Sequence, residues 1–269
     1  MRQRLLVAAV GVPLLLVILL LAPAEATALL CALLAAVGCY ELMHAAGGGE
    51  WRLLAAMPVL AAGNTLVFSD VWGMGELGAL GLYIAVVYAL AAAVATHGRE
   101  RALSFATAMA GVFSSALLPM AFASLALLRA TSSALALTPF IGAFMSDTGA
   151  FFAGRAFGKH KLAPKVSPNK TVEGSVGGFV GSVAGMLIFH FAARAALRLD
   201  LGWYVAVLMG LLGSLLGQLG DLSFSVIKRE FGIKDYGRIF LEHGGVLDRF
   251  DSVLFVAPAY WLLLSLIFG

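Results

Sequence analysis

Long apolar runs separated by short polar breaks dominate this chain, and strict apolar–polar alternation is nowhere sustained. Nine runs can be marked, roughly at 5–22, 26–44, 52–69, 76–96, 104–128, 133–154, 173–194, 202–226 and 250–268. A helix that crosses a bilayer needs about 20 mostly apolar residues. Backbone polar groups in lipid have to be satisfied within the segment, so such runs are read as helices. The missing alternation argues against a barrel. The pattern therefore predicts an all-α, polytopic membrane protein with about nine transmembrane helices. It divides into an N-terminal transmembrane region, 1–130, with about five spans and a C-terminal transmembrane region, 131–269, with about four.

Composition agrees. The 269 residues are 61% hydrophobic and 12% charged, with mean hydropathy +0.95, whereas a soluble domain carries about 25% charge. The first residues, Met1-Arg-Gln-Arg and then Leu5 onward, look like a signal peptide. The apolar run is longer than such peptides have, and it is expected to be a retained first span. Cys31 and Cys39 fall in apolar sequence without a Cys-x-x-Cys pair or a nearby His, so small core residues are expected, with no disulfide and no metal.

Charge placement orients the spans. With the N-terminus inside, every Lys and Arg except Arg129, Arg194 and Arg198 falls on the inner side. That is the asymmetry of the positive-inside rule. The N-terminus and two long polar loops, 155–172 and 227–249, are then expected to face the cytoplasm. Glycines recur in the two spans that lead to these loops: Gly174, Gly177, Gly178, Gly181 and Gly185 in one, and Gly210, Gly213, Gly217 and Gly220 in the next. Small residues on one face let helices approach closely.

The densest chemistry lies between Lys228 and Asp251, where 24 residues hold ten of the chain's 33 Asp, Glu, Lys and Arg. Just before it, Asp221, Ser225 and Lys228 fall at i, i+4 and i+7 on one helical face, with Arg229 beside them. An acid at membrane depth needs a partner or a metal, so Asp221 is a functional candidate. The segment Lys234-Asp235-Tyr236-Gly237-Arg238 reads as a non-helical loop. In His243-Gly244-Gly245, paired glycines could bring backbone N–H groups close to a phosphate. Asp248, Arg249 and Asp251 open the last span, with the two acids at i, i+3 on one face. With Asp221 they offer oxygen ligands for Mg²⁺, which takes one or two carboxylates plus substrate phosphates.

The other inner loop complements this one. Ser146-Asp147-Thr148-Gly149 end a span, Lys159, His160, Lys161 and Lys165 follow, then Ser167-Pro168-Asn169-Lys170-Thr171, and Glu173-Gly174 open the next span. Lys and hydroxyl groups in a tight Pro turn would suit a polyphosphate, although no P-loop pattern is present. Together the loops imply a cytoplasm-facing site for a divalent cation and a phosphorylated substrate at the lipid surface.

At these residues the chain resembles the bacterial phosphatidate cytidylyltransferase (CDP-diacylglycerol synthase) family. That family's signature is similar to Ser225-Val-Ile-Lys228-Arg229, four residues, Lys234-Asp235, then His243-Gly244-Gly245-Val246-Leu247-Asp248-Arg249-Phe250-Asp251. Signature 225–251 keeps the family spacing, and Ser146 to Glu173 looks like its second block. Two positions depart from it: Leu241 stands where a Pro or small turn residue is usual, and Asn169 where a second Lys is common. The resemblance implies transfer of the cytidylyl group of CTP to phosphatidic acid, giving CDP-diacylglycerol and pyrophosphate. It implies Mg²⁺ on Asp221 and Asp248, a second cation being left open, with Lys228, Arg229 and His243 as further catalytic residues. Substrate contacts are expected from Ser146, Asp147, Lys165, Ser167, Lys170, Thr171, Glu173, Ser225, Lys234, Asp235, Gly244, Gly245, Arg249 and Asp251. It also implies the bacterial inner membrane, membrane lipid as surroundings, and no nucleic-acid partner; a homodimer stays open.

Two rivals remain. A CTP-dependent isoprenoid-lipid cytidylyltransferase or polyprenol kinase would share CTP and differ in the lipid pocket. A transporter would carry charges at mid-span, whereas Glu41, Asp147 and Asp221 all sit at predicted inner ends. A reporter fused near Lys161 is expected to score cytoplasmic, and a periplasmic score would overturn the orientation.

Overall fold

The computed structural model describes residues 11, 13–47, 51–100, 102–237 and 244–268, without the side chains of 51 and 53. Of the described residues 78% are helical. Its helices are α1 (residues 13–20), α2 (Ala24–Ala46), α3 (Met57–Phe68), α4 (Gly78–Thr96), α5 (Phe105–Thr131), α6 (Thr138–Phe157), α7 (Val172–Leu197), α8 (Trp203–Glu230), α9 (Leu247–Phe250) and α10 (Val253–Phe268). Among the described residues, six helices are long and apolar enough to cross a membrane, and α3 and α10 are apolar but shorter. The apolar pattern thus placed each described helix except the single turn α9.

The loop after α6 is not wholly irregular, as the pattern alone suggested. Strands β1 (Lys161–Ala163) and β2 (Ser167–Thr171) pair antiparallel, Lys161 opposite Thr171 and Ala163 opposite Ser167. The turn lies at 164–166, so Pro168 sits inside β2 and not in the tight turn expected around it. The run from 250 is also broken. α9 is a single turn, and Asp251–Ser252 form a turn before α10 starts at Val253. Asp248 and Asp251 therefore do not share a continuous helix face. The Asp251 carboxylate accepts the N–H of Ser252 at 2.7 Å, and Phe255 and Val256 then take the Ser252 carbonyl to begin α10.

The chain forms two compact units, 1–133 with 230–249 and 134–229 with 250–269. In the first, α2, α3, α4 and α5 pack together around Leu42, Met43, Met57, Leu118 and Phe122, all fully buried. Cys31 and Cys39 are free and buried, as expected, and Cys39 Sγ lies 3.0 Å from Ser114 Oγ.

The second unit is built on the glycine faces. α6 and α7 touch backbone to backbone: a Cβ on Gly149 would collide with the Gly177 carbonyl, and one on Gly177 would lie 2.8 Å from the Gly149 carbonyl oxygen. Buried hydroxyls and an amide lace the helices. Ser146 Oγ and Ser214 Oγ are 2.9 Å apart, Gln218 donates to Ser214 at 2.8 Å and to the Ser175 carbonyl at 3.2 Å, and Ser175 donates back at 2.5 Å. Hydrogen bonds between helices matter where no water competes. The fully buried Tyr260 of α10 donates to the Met209 carbonyl at 2.6 Å. Its hydroxyl fills the space that a side chain at Gly142 or Gly213 would need.

Overpacking a close contact typically costs about 1–3 kcal/mol. Gly149→Ala is expected to lower the thermal midpoint in detergent by several degrees. Gly63→Ala, where an added Cβ meets nothing within 4 Å, is expected to leave it unchanged or slightly raised. Equal midpoints for the two variants would refute the α6–α7 contact.

Candidate active site

Asp221, nine residues before the end of α8, has the partners that an acid in an apolar helix requires. Lys170 of β2 forms an ion pair with Asp221 Oδ2, and Ser225, one helical turn on, donates to Oδ1 at 3.3 Å. The helix-face reading of Asp221 and Ser225 is therefore realised. The cation paired with Asp221 comes from the hairpin, a partner that the spacing did not suggest. Both members of the pair are about one quarter exposed (26% and 27%), so a polar ligand can reach them.

Two further acids converge on the same end of the second unit. A Cβ on Gly217 would lie 3.7 Å from Ser252 Cβ and 3.8 Å from Ala143 Cα, and one on Gly220 would lie 2.5 Å from the Asp251 carbonyl oxygen. One turn beyond Gly217 and Ala143 come Asp221 and Asp147, and Asp251 precedes Ser252. In the turn ahead of α10, burial pushes the Asp251 carboxyl up to about 7, and the fields of Asp221 and Asp147 push it the same way against Lys228. Three acids converging in this way favour a cation. Among the described residues no three His, Cys, Asp or Glu side chains are grouped so as to hold a metal unaided. One or two carboxylates completed by substrate phosphates is the usual arrangement for Mg²⁺.

The hairpin that carries Lys170 is anchored at the start of α7. Thr171 caps the helix, accepting the Gly174 N–H at 3.1 Å. The Glu173 carboxylate accepts the N–H groups of Lys159 (3.0 Å) and His160 (3.2 Å) and contacts His160 Nδ1 at 2.6 Å. Thr171 and Glu173, expected at the substrate, thus have local partners that hold the loop. Lys165 is exposed at the hairpin turn and Ser167 is half-buried. Ser146 is 1% exposed and bonded to Ser214, and its position belongs to the helix packing. Asp147 is exposed.

The signature segment of the first unit is closed on itself. Asp248 Oδ2 accepts the N–H of Tyr236 at 2.8 Å and of Gly245 at 3.0 Å. Gly244 has φ +83°, a conformation that side chains disfavour, and a Cβ there would crowd Asp248. The paired glycines were expected to present N–H groups to a phosphate. Instead the Gly245 N–H serves Asp248, and those of Val246 and Leu247 serve Glu41. Lys234, Asp235 and Arg249 are exposed, as is Arg229, and Lys228 is half-buried. His243 and Leu241 lie outside the described residues.

A family model for the cytidylyltransferase family matches residues 2–267. The chain belongs to the cytidylyltransferase family. Relatives include phosphatidate cytidylyltransferases of Staphylococcus haemolyticus, 46% identical over 125 residues, and of Bacillus subtilis, 47% identical over 121 residues. That of Staphylococcus aureus (strain COL) is 47% identical over 128 residues. These matches cover 44–46% of each relative and 45–46% of this chain, so the aligned part spans about half the length of the relatives.

For a cytidylyltransferase-family chain, three features went unread in the sequence. Glu41 reads in sequence as an acid at a span end, and nothing near it marks it as the acceptor for the signature backbone. Gln218, one polar residue in an apolar helix, joins α7 to α8, and only its polarity hinted at it. The hairpin was hidden because its strands are three and five residues long. Glu173→Ala should speed proteolytic cleavage within 159–171 several-fold while the helices stay intact; unchanged cleavage would show that Glu173 does not anchor the hairpin.

Proposed function

We propose that this protein transfers the cytidylyl group of CTP to phosphatidic acid, giving CDP-diacylglycerol and pyrophosphate. The observation that carries the reading is Asp221 in an apolar helix, bound by Lys170 of the hairpin and Ser225 of its own helix, in a chain that keeps the family signature. A phosphate oxygen of the lipid attacks the α-phosphorus of CTP. The new P–O bond forms as the bond to the β-phosphate oxygen breaks, and pyrophosphate leaves with the electron pair. The nucleophile is already an anion, so no strong base is required. The work left to the protein is positioning and charge neutralisation.

Lys170, Lys228, Arg229 and Lys234 supply cations for the phosphates, and Ser225, Asp147, Asp235, Arg249 and Asp251 complete the polar surroundings. His243 is assigned to hold a phosphate as a donor. Asp221 and Asp248 would supply carboxylates to Mg²⁺, a role carried over from the signature, and the Asp147–Asp251 carboxylates provide a field that suits a cation beside Asp221. When bound, the ion neutralises charge on the CTP phosphates. The shorter apolar helices α1, α3 and α10 also cross the membrane in this reading, making about nine spans. The N-terminus and both loops face the cytoplasm at the bacterial inner membrane, and phosphatidic acid enters laterally from the inner leaflet.

Purified protein given labelled CTP, Mg²⁺ and phosphatidic acid is expected to form labelled lipid and pyrophosphate. No labelled lipid would overturn the reading, and product only with a polyprenol substrate would move it to a related enzyme. Asp221→Asn and Asp248→Asn are each expected to abolish Mg²⁺-dependent turnover in protein that remains folded in detergent. Asn at 248 keeps an oxygen to accept the Tyr236 and Gly245 N–H groups, so loop closure survives. Full activity in either variant would sink the metal assignment.

A further inference from the structure

Glu41, near the end of α2, is 2% exposed, and both of its carboxylate oxygens are in use. Oε1 accepts the N–H of Val246 at 3.0 Å and Oε2 that of Leu247 at 3.0 Å. The donors are 205 and 206 residues away in sequence. Two glycines of the same segment are pressed against this carboxylate. A Cβ on Gly237 would lie 2.5 Å from Oε1, and one on Gly245 would lie 2.5 Å from Cδ. On the same side of α2, one turn earlier, a Cβ on Gly38 would meet Leu247 Cδ2 at 3.0 Å. The helix thus offers a notch for Leu247 and a forked acceptor for the backbone around it.

A Leu at position 41 would fill similar volume without the cost of burying an acid. What the carboxylate adds is direction, since two N–H vectors are aimed at two oxygens. The residue after Leu247 is Asp248, whose Oδ2 closes the loop on Tyr236 and Gly245. We infer that Glu41 is a positioning residue for the signature segment. It acts through the Val246 and Leu247 backbone and fixes how Asp248 and Arg249 project from it. The inference rests on the role proposed above for Asp248. Misplacement by about 1 Å can cost roughly 100-fold in rate, so a distant anchor of this kind governs catalysis without touching substrate.

Two readouts test it, one of them independent of activity. In Glu41→Leu, amide hydrogen exchange across 244–250 is expected to rise about tenfold or more, as loss of two charge-assisted hydrogen bonds implies. Exchange in α6 and α7 should stay as in wild type. The Mg²⁺ concentration for half-maximal turnover should rise about tenfold by the same measure, and Glu41→Gln, which keeps one oxygen, should recover part of both effects. Gly245→Ala should reproduce the Glu41→Leu behaviour, and the double variant should be no worse than either single one. Unchanged exchange across 244–250 in Glu41→Leu overturns the inference. Raised exchange with a wild-type Mg²⁺ requirement and turnover overturns it as well, since anchoring alone is then all that Glu41 does. Wild-type protein that converts no CTP would sink the functional reading, and the exchange measurement then decides the anchoring on its own.

Discussion

A polar group placed among apolar helices has to find its partners inside the protein, and this rule organises both units. Water is scarce there, and an unmet acid is costly. Asp221 meets the rule with Lys170 and Ser225, and Asp248 with two backbone N–H groups of its own loop. Ser146, Ser214, Gln218 and Ser175 meet it together as a chain across three helices. Where one of these groups can go is therefore set by where its donors are, and the polar segments are held in place by the same bonds that make them tolerable.

The scaffold for this is unusually close helix contact. Gly149 and Gly177 bring α6 and α7 into backbone contact, and Gly142 and Gly213 make room for the Tyr260 hydroxyl. Helices this near cannot slide past one another without collision, so the roots of the hairpin and of α8 are held firmly. A site built on such rigid elements keeps its geometry better than one built on loops alone.

Much of this was legible from residue order, because its cause is local. The apolar runs marked the helices, and the i, i+4 spacing put Ser225 on the Asp221 face. The glycine spacings pointed to close packing, and the signature pointed to the cytidylyltransferase family. What was hidden depends on distant pairing. Nothing near Asp221 in sequence designates Lys170 as its partner, and nothing near Gly245 shows that its missing side chain makes room for Glu41. The glycine pair looked like a phosphate cradle because its conformational freedom suits one. The N–H of Gly245 is instead taken by Asp248. The break at Asp251–Ser252 was equally hidden, since the run marked from 250 to 268 reads as one helix.

The Glu41 contact also imposes an order on the making of the molecule. α2 leaves the ribosome some 200 residues before Val246 and Leu247 do (205 and 206 apart). At about 5–20 residues per second, the acid exists for roughly ten seconds or more before its intended donors have been synthesised. For that interval its carboxylate has to be met by water, lipid headgroups or a provisional neighbour. The closing of the signature segment on α2 therefore waits for the synthesis of Leu247, and a chain stalled before Val246 exists lacks the donors that would complete it.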